Sequence, residues 1–357
     1  MVKIRVLVVD DSAFMRMMIT KMLESDPDIQ VAGIARNGVD ALRRIQQLSP
    51  DVVTMDVEMP ELDGISALKR IMMESPKPVI MVSSLTSRGA DATLEALNSG
   101  AFDFIAKPDN RYNDIAGVAE ELVAKVKLAA QTSLPIAGSR LIKFSRSNLT
   151  GNRFHTADVP KQSHQVVQLV AIGTSTGGPK ALDVVLRSFP KSMPCPVLIV
   201  QHMPPTFTKS LADRLNHECD MEVVEAQNNE VLQNGKAYIA PGNFHMTVVN
   251  ASGEFRIVLD QAEKRNMHRP SVDILFESLA LLKDVFRHLI IMTGMGSDGA
   301  KGMLAAKQSG AVTIAEAEST CVIYGMPKSA VNLGCVDKVI PLPQIGAEVL
   351  AMVMEQQ

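Results

Sequence analysis

Residues 1–125 alternate short, uninterrupted apolar runs with stretches whose apolar residues recur every three to four positions. The runs are Ile4–Val9, Ile29–Ala35, Val52–Met55, Val79–Val82 and Phe104–Ala106. Continuous β-branched runs of this length predict strands buried on both faces of a parallel sheet. Helical spacing fills the gaps, as over Ala13–Leu23 and over Ala90–Asn98, which Gly100 closes. Phe14, Met18 and Met22 fall on one helical face, where methionine serves as core filler. Five βα units predict a doubly wound (βα)5 sheet with helices on both faces.

The rhythm stops over residues 131–165, which are rich in Ser, Asn, Gly, Pro and Gln. Arg140, Lys143, Arg146, Arg153 and Lys161 face the single acid Asp158, which predicts a flexible, mildly basic linker with room for one short element near Leu141–Phe144. Strand-like runs resume at Val166–Ile172, Val197–Val200, Ala237–Ile239, Phe255–Leu259, Leu289–Met292 and Val312–Ile314. Helical spacing covers Lys180–Ser188, Lys209–Asn216, Val272–Phe286 and Ala300–Gly310. The fold class is therefore α/β throughout. A doubly wound domain spans 1–125, a linker 126–165, and a second doubly wound, mostly parallel α/β domain 166–357.

Composition narrows the function. The chain of 357 residues is 46% hydrophobic, enough for two cores, and carries a net charge of −3. An acidic balance with no basic helix argues against nucleic-acid binding. No apolar run approaches the roughly 18–20 residues of a membrane span, and Met1 leads directly into a strand, so the expected location is the cytoplasm. Cys195, Cys219, Cys321 and Cys335 are scattered and read as reduced structural thiols.

Candidate chemistry sits where strands end. Asp10 and Asp11 follow the first strand, Asp56 the third, Ser83 and Ser84 the fourth, and Lys107 the fifth. Parallel strands bring these ends to one edge, the ligand-binding edge of such sheets. Three carboxylates there repel one another unless a cation lies among them, and an all-oxygen donor set suits Mg²⁺. Lys107 and a serine hydroxyl are then placed to meet a phosphate.

The second domain opens with a strand delivering Gly173-Thr174-Ser175-Thr176-Gly177-Gly178-Pro179 directly to a helix. That is the strand–turn–helix setting of a nucleophilic serine, with helix N–H groups ready for an oxyanion. The same stretch also reads as a phosphate cradle. A serine needs a base. Of seven histidines, His155 and His164 lie in the linker, and His217, His245, His268 and His288 are less well placed than His202, which ends the strand Val197–Val200. His268 heads a helix entry, His268-Arg269-Pro270-Ser271-Val272-Asp273, that could line a pocket. The candidate acid is Asp298, in the glycine-rich loop Thr293–Gly299. It also reads as a simple N-cap of the next helix. The order Ser175, His202, Asp298 is not that of an α/β-hydrolase, but a triad is defined by geometry rather than order.

Two resemblances bear on these readings. Asp10-Asp11, Asp56 with Met59-Pro60 and Asp63-Gly64, Ser83, and Lys107-Pro108 make residues 1–125 similar to a response-regulator receiver domain. The resemblance implies that Asp56 accepts a phosphoryl group from a histidine kinase. It implies that Asp11, Asp56 and the Glu58 carbonyl ligate Mg²⁺ with help from Asp10, and that Ser83, Phe104 and Lys107 are the switch positions. It also implies a cis Lys107–Pro108 bond.

Gly173–Pro179, Gln201–Pro204, His268–Asp273, Thr293–Gly299 and Cys321–Lys328 resemble the catalytic domain of the chemotaxis protein-glutamate methylesterases (CheB-type). Thr174 and Ser297 depart from or vary within that pattern. The implied activity is hydrolysis of glutamate methyl esters on the cytoplasmic helices of chemoreceptors, and deamidation of certain glutamines, with release of methanol or ammonia. Phosphorylation activates it, and the esterase site needs no cofactor. Thr176, by the elbow rule, and Met295, by the resemblance, are the oxyanion candidates. A response regulator with a DNA-binding output and a nucleotide-binding enzyme are the rivals. The first lacks a basic helix, and the second lacks G-x-G-x-x-G and a P-loop lysine.

Overall fold

A computed structural model describes residues 3–107, 115–132 and 168–356. The N-terminal part runs β1 (Ile4–Val9), α1 (Ala13–Glu24), β2 (Ile29–Ala35), α2 (Gly38–Leu48), β3 (Val52–Asp56), α3 (Gly64–Glu74), β4 (Val79–Ser83), α4 (Ser87–Asn98), β5 (Asp103–Ala106) and α5 (Ile115–Gln131). Its sheet is parallel in the order β2-β1-β3-β4-β5. The order reverses between β1 and β3, and the crevice that opens there receives Asp10 and Asp56.

The C-terminal part runs β6 (Gln168–Thr174), α6 (Gly178–Leu186), β7 (Val197–Gln201), α7 (Phe207–Glu218), β8 (Glu222–Glu225), β9 (Lys236–Ile239), β10 (His245–Ala251), β11 (Glu254–Asp260), α8 (Val272–Ala280), β12 (Phe286–Ile291), α9 (Ala300–Gln308), β13 (Val312–Glu316), α10 (Met326–Asn332), β14 (Lys338–Ile340) and α11 (Leu342–Glu355). Seven strands form a parallel sheet in the order β14-β13-β12-β6-β7-β9-β8. Its reversal lies between β12 and β6, so the loops after β6, β7 and β12 share one crevice.

Several expectations are corrected. The helix expected over Val272–Phe286 ends at Ala280, because Asp284 takes a left-handed φ of 58° and Phe286 starts β12. The strand read at Phe255–Leu259 belongs to a separate antiparallel hairpin, β10–β11, rather than to the main sheet. Phe14 is 62% exposed. The buried stripe of α1 is Ile19, Met22 and Leu23, one step around the helix. Helix α5 continues through Gln131, past the expected linker start at 126, because Val126 and Ala129 bury against Leu23 and Val6 in the same core cluster. Leu141–Phe144, His155, His164 and the Lys107–Pro108 bond lie outside the described residues.

The two parts pack through α4, α6 and α7, which share one apolar cluster. Phe104 of β5 stacks on Phe207 of α7, with ring centroids 4.8 Å apart and planes within 5°. Arg214 of α7 donates to the Leu94 carbonyl at the same seam.

Candidate functional site

At the N-terminal crevice, carboxylate oxygens of Asp10, Asp11 and Asp56 all lie within 4.8 Å of one another. Lys107 Nζ stands 2.8 Å from Asp56 Oδ2 and 3.2 Å from Asp10 Oδ2. Asp10 and Asp56 are buried, whereas Asp11 is exposed. Burial pushes the Asp56 carboxyl up to about 6, the Lys107 hydrogen bond opposes this, and the like charge of Asp10 adds to it. A hard dication relieves such crowding, so the donor set fits Mg²⁺. Ser83 ends β4, but its hydroxyl donates to the Gly89 carbonyl at 3.0 Å and not to Asp56. Phe104 is buried against Phe207.

The second site is built on the turn after β6. Ser175 N–H donates to the Thr293 carbonyl at 3.0 Å, and the Ser175 carbonyl accepts from Gly178 N–H and from Gln201 Nε2. The turn is tight enough that a Cβ on Gly178 would lie 1.9 Å from Gln201 Oε1, so only glycine fits. Thr174, the departure noted in the sequence, donates through Oγ1 to the same Thr293 carbonyl at 2.9 Å. Thr293 Oγ1 in turn donates to the Thr176 carbonyl. The turn after β6 and the loop after β12 are thereby stitched together. A Cβ on Gly294 would meet Ser175 Cβ at 2.8 Å, so the two backbones touch there. The N–H groups of Thr176 and Met295 donate to no protein group among the described residues.

His202 follows β7, with its N–H on the Thr174 carbonyl, and Gln201 Nε2 bridges the Ser175 and His202 carbonyls. His202 Nε2 lies 2.8 Å from Asp298 Oδ2. His202 Nδ1 is buried without a hydrogen-bond partner. No hydrogen bond joins it to the half-buried Ser175 hydroxyl in this structure. Asp298 thus occupies Nε2 and leaves Nδ1 without a partner, the reverse of the nitrogen that the aspartate takes in the serine-protease template.

Asp298 is 1% exposed. It caps a helix, but not its own: the N-cap of α9 is Gly299, with no side-chain bond. Instead Asp298 accepts from Val272 N–H at 2.7 Å and Asp273 N–H at 3.2 Å, at the start of α8. Ser271 Oγ and Asn266 Nδ2 also donate to it, at 2.8 and 3.0 Å. Burial alone would raise this carboxyl. The His202 bond and charge, with the Ser271 hydroxyl and the Val272 N–H, outweigh it and hold Asp298 well below the usual carboxylate range.

Sequence reasoning saw the segment 268–273 as a pocket wall and missed that its helix start holds the acid. It missed Asn266 altogether, since an isolated Asn carries no periodic signal. His217, His245 and His288 bond elsewhere, to Asp213, Glu263 and Gln168.

Two families match: "CheB methylesterase" over residues 170–349 and "Response regulator receiver domain" over residues 6–115. A protein-glutamate methylesterase/protein-glutamine glutaminase of Halalkalibacterium halodurans is 47% identical over 98% of this chain and 98% of its own length. One of Archaeoglobus fulgidus is 45% identical over 97% of each. The crystal structure of the Thermotoga maritima CheB methylesterase catalytic domain is 42% identical, covers 52% of this chain and 98% of its own, and superposes with a TM-score of 0.51.

Proposed function

This chain belongs to the CheB methylesterase family, the protein-glutamate methylesterase/protein-glutamine glutaminases that carry a receiver domain, and from that premise we propose how its own residues do the work. It is a receiver-regulated hydrolase that demethylates glutamate methyl esters and deamidates glutamines in chemotaxis adaptation. Ser175 Oγ attacks the γ-carboxyl carbon of the modified side chain. His202 takes the hydroxyl proton on Nδ1 and returns it to the leaving group as its bond to carbon breaks, to the methoxide oxygen, which departs as methanol, or to the amide nitrogen of a glutamine, which departs as ammonia. Asp298 fixes the Nε2–H tautomer and offsets the imidazolium charge. The N–H groups of Thr176 and Met295 receive the oxyanion, helped by the start of α6. Water then attacks the acyl-serine and frees glutamate. One observation carries this reading: the buried His202–Asp298 bond, with an unpartnered Nδ1 left at the edge where Ser175 turns.

The substrate is a glutamate on the cytoplasmic helices of a chemoreceptor, and the phosphodonor is a histidine kinase. Asp56 accepts the phosphoryl group, while Lys107 stands ready for its oxygens and Ser83 reaches them by releasing the Gly89 carbonyl. Asp11, Asp56 and the Glu58 carbonyl, with Asp10 beside them, would hold Mg²⁺, which supplies the positive charge that the phosphoryl oxygens need. The test is methanol release from methylated chemoreceptor membranes, with and without a small-molecule phosphodonor and Mg²⁺. Release should rise with the donor and fail to rise in Asp56→Ala. No release from folded protein under either condition would remove the esterase reading.

The contact between the two parts supports control by occlusion. Thr176, beside the nucleophile, donates through Oγ1 to Asp103 Oδ2 of β5 at 2.6 Å in a buried setting. Lys125 stands 3.2 Å from the same oxygen and donates to the Phe104 carbonyl. Burial would lower the Lys125 ammonium, but Asp103 and Glu121 hold it above its ordinary range. Losing one such buried bond shifts a closed–open balance by about 1–2 kcal/mol. Asp103→Ala should therefore raise unphosphorylated activity roughly five- to thirtyfold. Equal activity in the variant and the parent would show that this bond does not hold the site shut.

A further inference from the structure

Residues 265–268 form a tight turn closed by two mutual backbone bonds, Arg265 N–H to the His268 carbonyl at 3.1 Å and His268 N–H to the Arg265 carbonyl at 2.9 Å. Its tip residues, Asn266 and Met267, have φ of 51° and 68°. Two successive left-handed residues make a primed turn, in which Asn is favoured first and Gly second. A methionine in the second place is held there by its surroundings. Those surroundings are firm. Arg265 pairs bidentately with Glu277 of α8 at 2.8 and 2.7 Å. Arg269 donates to Asn243 and to the carbonyls of Gln261 and Ala262.

Two side chains of this turn reach His202 and Asp298, and neither moves a proton or touches the substrate in the proposed reaction. Asn266 Nδ2 donates to Asp298 Oδ1 and to Asp273 Oδ2, both at 3.0 Å, and so spans two buried carboxylates that would otherwise repel. The His268 ring lies on the His202 ring, with centroids 3.7 Å apart and planes within 11°. Burial, with the His202 charge behind it, lowers His268 to about 3, so this ring is neutral when His202 takes up a proton.

We propose that the Arg265–His268 turn is a clamp for catalysis, with Asn266 positioning the acid and His268 fixing the plane of the base. The inference rests on the assignment of His202 and Asp298 given above. The two residues act through others, so they are positioning residues. A general base held off its productive geometry by about 1 Å loses on the order of a hundredfold in rate.

The experiment uses the full-length protein with phosphodonor and Mg²⁺, and measures methanol release from methylated receptor membranes. Asn266→Gly keeps the left-handed turn and deletes only the amide. It should lower kcat roughly ten- to hundredfold, leave KM within about twofold, and leave Tm near the parent's. His268→Ala should lose a similar factor, and His268→Phe, which restores a flat stacked ring, should recover most of it. Asn266→Gly turnover within twofold of the parent would overturn the clamp. So would a loss that appears as a raised KM or follows a fall in Tm. A His268→Phe variant as slow as His268→Ala would also overturn it, since His268 would then be moving a proton. Ser175→Ala, run alongside, separates the two levels: if it stays active, the mechanism falls and not merely the clamp.

Discussion

Replacing Ser175 by Ala is expected to lower methanol release by roughly a millionfold, with the protein still folded and still binding methylated receptor. The fold is spared because the turn is held by the Ser175 backbone, on Thr293, Gly178 and Gln201, and by nothing that its hydroxyl does. The loss is therefore chemical. Deamidation should fall by the same factor, because ester and amide pass through the same addition of Ser175 Oγ to a side-chain carbonyl. Measuring methanol and ammonia release on the same variant checks both. Near-normal turnover of either product would mean that another nucleophile, or water acting directly, serves that reaction. Residual activity above the buffer rate is expected from the oxyanion donors alone.

Asp298→Asn is expected to cost roughly three to four powers of ten in kcat, for a reason legible in its partners. The carboxylate faces only donors: His202 Nε2 and Val272 N–H on one oxygen, and Ser271 Oγ, Asn266 Nδ2 and Asp273 N–H on the other. An amide must turn its NH₂ toward one of these sets. Turned to His202, it forces the imidazole to carry its proton on Nδ1, the nitrogen that should accept from Ser175. Turned to Ser271, it sets donor against donor at the start of α8 and releases the helix cap, at a cost of about 1 kcal/mol or more. Unlike Ser175→Ala, this variant should lose both turnover and thermal stability. Turnover within tenfold of the parent would show that Asp298 serves the helix and not the imidazole.

The readable part of this chain was what local sequence controls. Apolar runs located β1, β3, β6 and β12. A strand that ends on a functional residue in a parallel sheet puts that residue at the shared edge, so Asp10, Asp56, Ser175 and His202 could be placed before any coordinates. The unreadable part depended on distant segments. Asp298 looked like the cap of the helix that follows it, and it does cap a helix, but that helix is α8, whose capped N–H groups lie 26 and 25 residues earlier in the chain. That partner is chosen by the sheet order, in which β12 sits beside β6. The apolar spacing after Val272 continued past Ala280 and disguised the start of β12, since a helix and a buried strand look alike over a few apolar residues. The hairpin β10–β11 escaped assignment to its own layer because β10 went unread, its buried residues gathering at one end without alternation, and β11 alone looks like any half-buried strand.

The short strand β5 has a consequence for how freely such proteins exchange parts. Within five consecutive residues it holds Asp103 on Thr176, Phe104 on α7, and, just past its end, Lys107 on Asp56, the proposed phosphoacceptor. Two of these positions answer to the neighbouring domain and one to phosphorylation. A foreign receiver grafted in front of residues 168–356 could keep every residue that phosphoryl transfer needs and still leave the esterase ungoverned, unless its last strand also carried an acid followed by an aromatic residue. The pair Asp103-Phe104 therefore ties the inheritance of one half of this protein to that of the other.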